Sequence, residues 1–242
     1  MKQMLVSDFD GTFYINDEDI EVNKIAVRKF KEKGNIFVIA TGRSYYDLKE
    51  TISKYKIEYD YLIINHGATI INRNDEVIYN FTINSDIVSE VKKIYFENFK
   101  DNIYGSIKDK YICCREKLSR LDFDNNDLTK IGIKCDDGKE QKRIFNLINN
   151  KYSDIINCYM LSENIIEITS KETNKSKAIR LLANYNDLNI KNIYTVGDSY
   201  NDISMIKNFN GYAMVNAVDE LKKIAKGQCK SVSDVIKKII KI

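Results

Sequence analysis

Residues 4–12 read Met4-Leu5-Val6-Ser7-Asp8-Phe9-Asp10-Gly11-Thr12. The apolar run Met4 to Val6 is of strand length and ends at a turn marked by Gly11, so it predicts a buried strand that delivers two carboxylates to its carboxyl end. Strand side chains repeat with a period of two, which lets Asp8 and Asp10 point toward one side. The same punctuation recurs along the chain. Ile36-Phe37-Val38-Ile39-Ala40 stops at Thr41-Gly42-Arg43, Tyr61-Leu62-Ile63-Ile64 at Asn65-His66-Gly67, and Ile193-Tyr194-Thr195-Val196 at Gly197-Asp198, while Gly211 to Val215 reads as one more short strand. Helical stretches over 20–33, closed by Gly34, and around 45–55 fall between these runs. Fully apolar strands alternating with amphipathic helices predict a parallel sheet covered on both faces, with ligands bound beyond the carboxyl ends of its strands.

Between about 81 and 172 the texture changes. Helical stretches over 85–99 and 139–150 are interleaved with short strands near 102–107, 110–115, 130–135, 154–160 and 164–169. The expected organisation is therefore α/β: a Rossmann-like parallel-sheet core from 1–80 and 173–242, with an inserted α+β cap over 81–172. Asp122 to Asp127 reads as a surface loop.

With 242 residues, 43% hydrophobic and 30% charged, the composition is that of a globular protein and excludes disordered, collagenous and disulfide-scaffold classes. Thirty-eight basic against thirty-five acidic residues leave a net charge of +3, too balanced to suggest a polyanion binder. Five cysteines without a C-x-x-C and a single histidine supply a zinc site poorly. No stretch approaches the ~18 apolar residues of a membrane span. A cytoplasmic location is expected, with no membrane or nucleic-acid partner; nothing in the sequence indicates an oligomeric state.

Asp198 and Asp202, in Gly197-Asp198-Ser199-Tyr200-Asn201-Asp202, form a second acidic cluster at another strand's end. Carboxylates gathered without histidine suit a hard cation such as Mg²⁺, which takes one or two protein carboxylates and leaves positions for water and phosphate. A lone D-x-D reads more simply as turn or capping residues. Here two acidic clusters, a Thr-Gly after a third strand and a lysine before a helix coincide at expected strand ends, and the coincidence points to a site.

These residues resemble the haloacid dehalogenase superfamily, within it the Cof-type phosphatases with a large cap inserted after the second motif. Asp8-Phe9-Asp10-Gly11-Thr12 is similar to the first motif of that family, Thr41-Gly42-Arg43 to the second and Gly197 to Asp202 to the fourth, while Glu167-Ile168 to Lys175 resembles the approach to the third. Lys175 and Lys177 compete for the third-motif lysine. The family's spacing of about 23 residues to the fourth-motif aspartate selects Lys175, with Lys177 as the fallback.

The resemblance implies Mg²⁺-dependent hydrolysis of a small phosphomonoester, a sugar phosphate or phosphorylated cofactor, through an aspartyl phosphate. Asp8 would be the nucleophile and Asp10 the general acid and base. Mg²⁺ would be held by Asp8, the Asp10 main-chain carbonyl and Asp198. Thr41, the Gly42 and Phe9 amides, Lys175 and Asn201 would hold the phosphate oxygens, with Asp202 orienting Lys175 or a metal-bound water.

The sequence also departs from the family pattern. Ser176 follows the lysine where glycine is usual, His66 stands in place of the asparagine of Asn-Gly-Ala, and the Asp-Gly pair near the end is missing after Asn216-Ala217. His66 reads best as a structural imidazole at the rim of the site. Arg115, Lys117 and Arg120 read as a solvated face, Cys113-Cys114 as strand core, and Tyr95, Phe96 and Phe99 beside Lys92, Lys93 and Lys100 as cap core. A phosphosugar mutase on the same scaffold and a non-catalytic sensor of a phosphorylated ligand are the alternative functions.

Overall fold

Met4–Ser7 (β1) is wholly buried, as a strand covered on both faces requires. The computed structural model describes residues 2–98, 103–107, 110–114 and 128–240. After β1 comes α1 (Asp17–Glu32), which begins before the periodic residues do because Asn16 caps it. The Asn16 side-chain oxygen accepts from the Glu18 and Asp19 amides, and Asp17, Glu18 and Asp19 fill the first turn, complementing the helix dipole. Its buried stripe is Ile20, Asn23, Val27 and Phe30; Ile25 lies off that stripe and is exposed.

The chain continues through β2 (Ile36–Ala40), α2 (Tyr45–Tyr55), β3 (Tyr61–Ile64), β4 (Thr69–Asn72) and β5 (Val77–Asn80). It then runs through α3 (Ser85–Asn98), β6 (Ile103–Ile107), β7 (Lys110–Cys114), β8 (Leu128–Lys134), α4 (Gly138–Tyr152), β9 (Ile156–Met160) and β10 (Ile165–Ser170). Last come α5 (Lys175–Tyr185), β11 (Ile193–Gly197), α6 (Ile203–Asn208), β12 (Asn210–Met214), α7 (Asp219–Ile224), β13 (Gly227–Cys229) and α8 (Val232–Ile240).

Two sheets result. The larger has eight strands in the order β13-β12-β11-β1-β2-β3-β4-β5. Strands from β13 to β3 pair in parallel, whereas β4 pairs antiparallel with β3 and β5 antiparallel with β4. The sheet is thus mixed, not parallel throughout as the sequence predicts. β4 and β5 form a hairpin through the turn Arg73-Asn74-Asp75, and a hairpin reverses the chain, so both strands depart from the parallel pattern. Asn72 Oδ1 accepts from the Asn74 and Glu76 amides and closes the turn. From β1 the chain builds outward on one side through β2 and β3 and returns on the other at β11. The crevice at the carboxyl ends of β1 and β11 is therefore a topological switch point.

The smaller sheet is antiparallel, in the order β7-β6-β8-β10-β9. Ile131, Ile133, Ile166 and Ile168 share one of its faces, and they pack with Ile87 and Val91 of α3 and Ile144 and Ile148 of α4 in a core separate from that of the large sheet. Both crossings between the two bodies are tied to one turn. The Phe81 amide donates to the Ala68 carbonyl as the chain leaves the large sheet, and the Thr173 hydroxyl donates to the Gly67 carbonyl as it returns. Arg115, Lys117, Arg120, Phe99, Lys100 and the loop 122–127 lie outside the described residues, as do the side chains of Lys92, Tyr95, Phe96, Cys113 and Cys114. Among the described residues, no helix is long and apolar enough to cross a membrane.

Candidate active site

Asp8 leaves β1 at the switch point, and the Lys175 ammonium, at the start of α5, reaches its Oδ1 at 2.6 Å and Asp202 Oδ1 at 2.6 Å. All three side chains are almost fully buried. Asp202 is saturated by this arrangement: its Oδ2 accepts from the Asp198 and Ser199 amides at 3.0 and 3.1 Å. Asp198 Oδ1 accepts from the Thr12 hydroxyl at 2.8 Å. Carboxylate oxygens of Asp8, Asp198 and Asp202 all lie within 4.8 Å of one another.

The electrostatics follow from crowding. Burial pushes the Asp8 carboxyl well above the usual range; Asp202 and Asp198 add to this, and Lys175 opposes it. Asp198 is raised as well, chiefly by burial. Burial alone would lower the Lys175 ammonium, yet Asp202 and Asp8 hold it above its ordinary value. This cluster has more buried negative charge than Lys175 balances, which is the condition that a bound cation relieves. The Asp8 and Asp198 carboxylates lie close enough to hydrogen-bond each other, and two carboxylates converging in this way are a donor set that fits a hard divalent ion. Asp202, with both oxygens occupied, supports the lysine instead.

Asp10 is placed differently. Its side chain, half exposed, is gripped by Arg43, with Nε to Oδ2 at 2.8 Å and Nη2 to Oδ1 at 2.5 Å. The guanidinium also lies 5.2 Å from the centre of the Phe9 ring. That ring is buried beside Phe13 and Tyr14, so Phe9 has only its main chain to offer a ligand. Thr41 is buried, and its Oγ1 accepts from the Arg43 amide at 3.1 Å. Asn201 Oδ1 accepts from the Ser199 hydroxyl at 2.7 Å. Lys177 is turned away, its Nζ on the Lys171 carbonyl at 3.0 Å.

A cavity of about 860 Å³ opens above these groups, between the two sheets. Asp8, Asp10, Thr41, Gly42 and Asn201 line one end; Phe145, Cys158, Tyr159, Met160 and Leu161 of the insert line the other. Tyr200 and Ser199 close a side.

His66 is not at the rim. It is buried, its Nε2 is hydrogen-bonded to Glu167 Oε2, and its ring stacks on Tyr159 with centroids 4.1 Å apart. Burial lowers its pKa, so it is a neutral imidazole at neutral pH. Burial would raise Glu167, but Lys130, at 2.5 Å from its Oε1, and His66 bring it down to about 2. Lys130 was not singled out from sequence, and Glu167 and Arg43 entered only as parts of motif stretches, with no role of their own. Lys130 shares its strand with Lys134 and Glu167 is the one charge of its own, a pattern that reads as solvent-facing until the Thr41-Gly42 loop and His66 are seen to cover both residues.

The Asn65–Gly67 turn abuts the entry to α5. A Cβ at Gly67, where φ is +104°, would lie 2.4 Å from the Asn174 carbonyl carbon. At Gly34, φ is +78° but a Cβ would meet nothing within 4 Å. Gly67→Ala, which adds collision to strain, is expected to lower stability by about 2 kcal/mol or more, roughly 4–8 °C in Tm, with Gly34→Ala costing about half as much. Thermal denaturation of the two variants checks this; equal losses would contradict it.

An acidic centre at the carboxyl edge of an α/β sheet, beneath a second α+β body, has the form of an α/β enzyme's active site. The chain belongs to the haloacid dehalogenase-like hydrolases, a family that matches residues 5–239. It is 27% identical over 231 residues to 5-amino-6-(5-phospho-D-ribitylamino)uracil phosphatase YcsE of Bacillus subtilis, covering 92% of this chain and 88% of that protein. In fold it is similar to a haloacid dehalogenase-like hydrolase from Bacteroides thetaiotaomicron, with TM-score 0.84, 20% identity and coverage of 99% of this chain and 100% of that one. A second such hydrolase, from B. subtilis, superposes with TM-score 0.80 at 17% identity, covering 97% and 99%.

Proposed function

We propose that the protein is a Cof-type phosphatase that hydrolyses a small phosphomonoester, with Asp8 as nucleophile. The observation that carries this reading is the buried Asp8–Lys175–Asp202 chain beside Asp198 at the switch point, open to a cavity between the sheets. An Asp8 carboxylate oxygen attacks phosphorus in line, the bond from phosphorus to the ester oxygen breaks, and Asp10 gives that oxygen a proton. In the second step Asp10 takes a proton from a water that attacks the aspartyl phosphate, which frees inorganic phosphate and restores Asp8. To reach the ester oxygen, the Asp10 side chain swings from Arg43 into the cavity that it already borders. Lys175, the Thr41 hydroxyl, the Gly42 and Phe9 amides and the Asn201 amide hold the phosphate oxygens, the positioning on which phosphoryl transfer chiefly depends.

Asp8, Asp198 and the Asp10 carbonyl would hold Mg²⁺. When bound, the ion offsets repulsion between the attacking carboxylate and the phosphate. Residues 81–172 act in this reading as the cap that excludes bulk water and selects the substrate. The test is phosphate release from a panel of phosphomonoesters, headed by 5-amino-6-(5-phospho-D-ribitylamino)uracil because of the B. subtilis relative. Release with Mg²⁺ is expected to fall about 100-fold or more with excess chelator. An isomeric product without phosphate release would instead identify a mutase, and binding without turnover a sensor.

A further inference from the structure

Between the Thr41-Gly42 loop and the insert lies a buried polar cluster that the hydrolysis does not use. On the insert's sheet, Glu167 pairs directly with Gly132 of β8 and with Tyr159 of β9, and Lys130 is the diagonal neighbour two residues from Gly132. Lys130, Glu167 and Tyr159 therefore share the face opposite the isoleucine core, and that face meets the large sheet. There Lys130 Nζ donates to the Gly42 carbonyl at 2.8 Å, Glu167 accepts from His66, and Tyr159 stacks on the same imidazole. The imidazole lies so close over Gly42 that a Cβ there would be 2.4 Å from His66 Cε1.

We propose that Lys130, Glu167 and His66 are positioning residues that couple seating of the insert to the geometry of the Thr41-Gly42 loop and of Asn201. The inference rests on the phosphatase reading for what those groups do, but not for the coupling itself. Ionised Glu167 can only accept, so the hydrogen is on His66 Nε2 and the Nδ1 lone pair faces Asn201 Nδ2, 3.5 Å away. Ser199 holds Asn201 from the other side, so the seated insert fixes which way that amide points. The backbone serves the same end: Asn65, His66 and Gly67 are successive left-handed residues, with φ of 52°, 58° and 104°, and they turn the ring toward the insert. If the insert lifts, Lys130 and Glu167 leave together and stay paired, whereas His66 Nε2 and the Gly42 carbonyl both lose their partners on the insert. The contact is thus either made or absent, as a coupled element requires.

The test compares wild type, Glu167→Gln, Lys130→Met and the double variant in two ways. Amide hydrogen exchange is followed on the full chain without substrate, and phosphate release is measured from p-nitrophenyl phosphate with Mg²⁺. Glu167→Gln keeps the shape and an acceptor for His66 while removing the charge that Lys130 faces. The readout amides are those of Asn65 and His66, which donate to the Arg43 and Thr41 carbonyls. Their exchange is expected to rise about tenfold in either single variant with β11 amides unchanged, and kcat to fall about tenfold with KM within about threefold. The double variant should be no worse than the worse single, because no buried charge is then left unpaired. Unchanged exchange in both singles, additive losses, a change confined to KM, or equal acceleration in β11 would each overturn the assignment. A wild type that releases no phosphate from any compound would sink the phosphatase reading alone, and the exchange results would still decide the coupling.

Discussion

Asp8→Asn is expected to lose turnover by about 10⁴-fold or more while remaining folded. The substitution preserves shape and leaves an amide oxygen to accept from Lys175, but an amide cannot form the aspartyl phosphate. The crowding at this position predicts the sign of the effect on stability. Burial, together with Asp202 and Asp198, raises the Asp8 carboxyl, so its ionised form is disfavoured in the folded chain relative to the unfolded one. A neutral isostere removes that cost, and Lys175 keeps Asp202 as a partner. Denaturation should therefore show Asp8→Asn to be at least as stable as wild type. Substantial Mg²⁺-dependent release by the purified variant would end the covalent mechanism.

Lys175→Met should be damaging in both respects. Removing the ammonium leaves Asp8 and Asp202 buried and facing each other, which in comparable buried pairs costs about 3–5 kcal/mol. Activity should fall about 10³-fold, because the charge also meets the phosphate oxygens. Lys177→Met, two residues further along α5 and with its ammonium on the Lys171 carbonyl, should stay within about twofold of wild type in activity and stability. Adding Asp202→Asn to Lys175→Met should recover part of the stability and none of the activity. Wild-type-like activity in Lys175→Met together with loss in Lys177→Met would mean that the lysine at position 177 serves the site.

Much of the fold was legible because the strands of the large sheet are buried on both faces and so read as uninterrupted apolar runs, each stopped by a turn residue. Asp8 and Asp198 were legible for the same reason, since each directly follows such a strand and must sit at its carboxyl edge; Asp202 was legible from its place in the same motif as Asp198, and Lys175 only from the family's spacing to Asp198. What was not legible depends on contacts between distant segments. The antiparallel direction of β4 and β5 is set by the turn at Asn72 and by pairing with β3, which a pattern of apolar runs does not specify. The short β13 and helices α7 and α8 are held by packing; the Asn23 side chain, buried in α1, accepts from the Ser233 amide at 2.9 Å and anchors α8. Arg43 had been read only as part of a loop motif, and its grip on Asp10 needs the carboxyl ends of β1 and β2 side by side. His66 looked like a rim residue because nothing near it in sequence shows that Tyr159 and Glu167, some hundred residues later, cover it.

The attachment of the insert bears on how such a molecule can diversify. Phe81 and Thr173, at the two crossings, are fastened to adjacent carbonyls, those of Ala68 and Gly67, so the whole intervening segment is grafted through one narrow graft point. A different insert spliced at that graft point would meet the same two anchors, while the strands carrying Asp8 and Asp198 would need no adjustment. Lineages could then exchange what is recognised without touching what is done to it, provided that the newcomer again supplies a partner for the side chain at position 66.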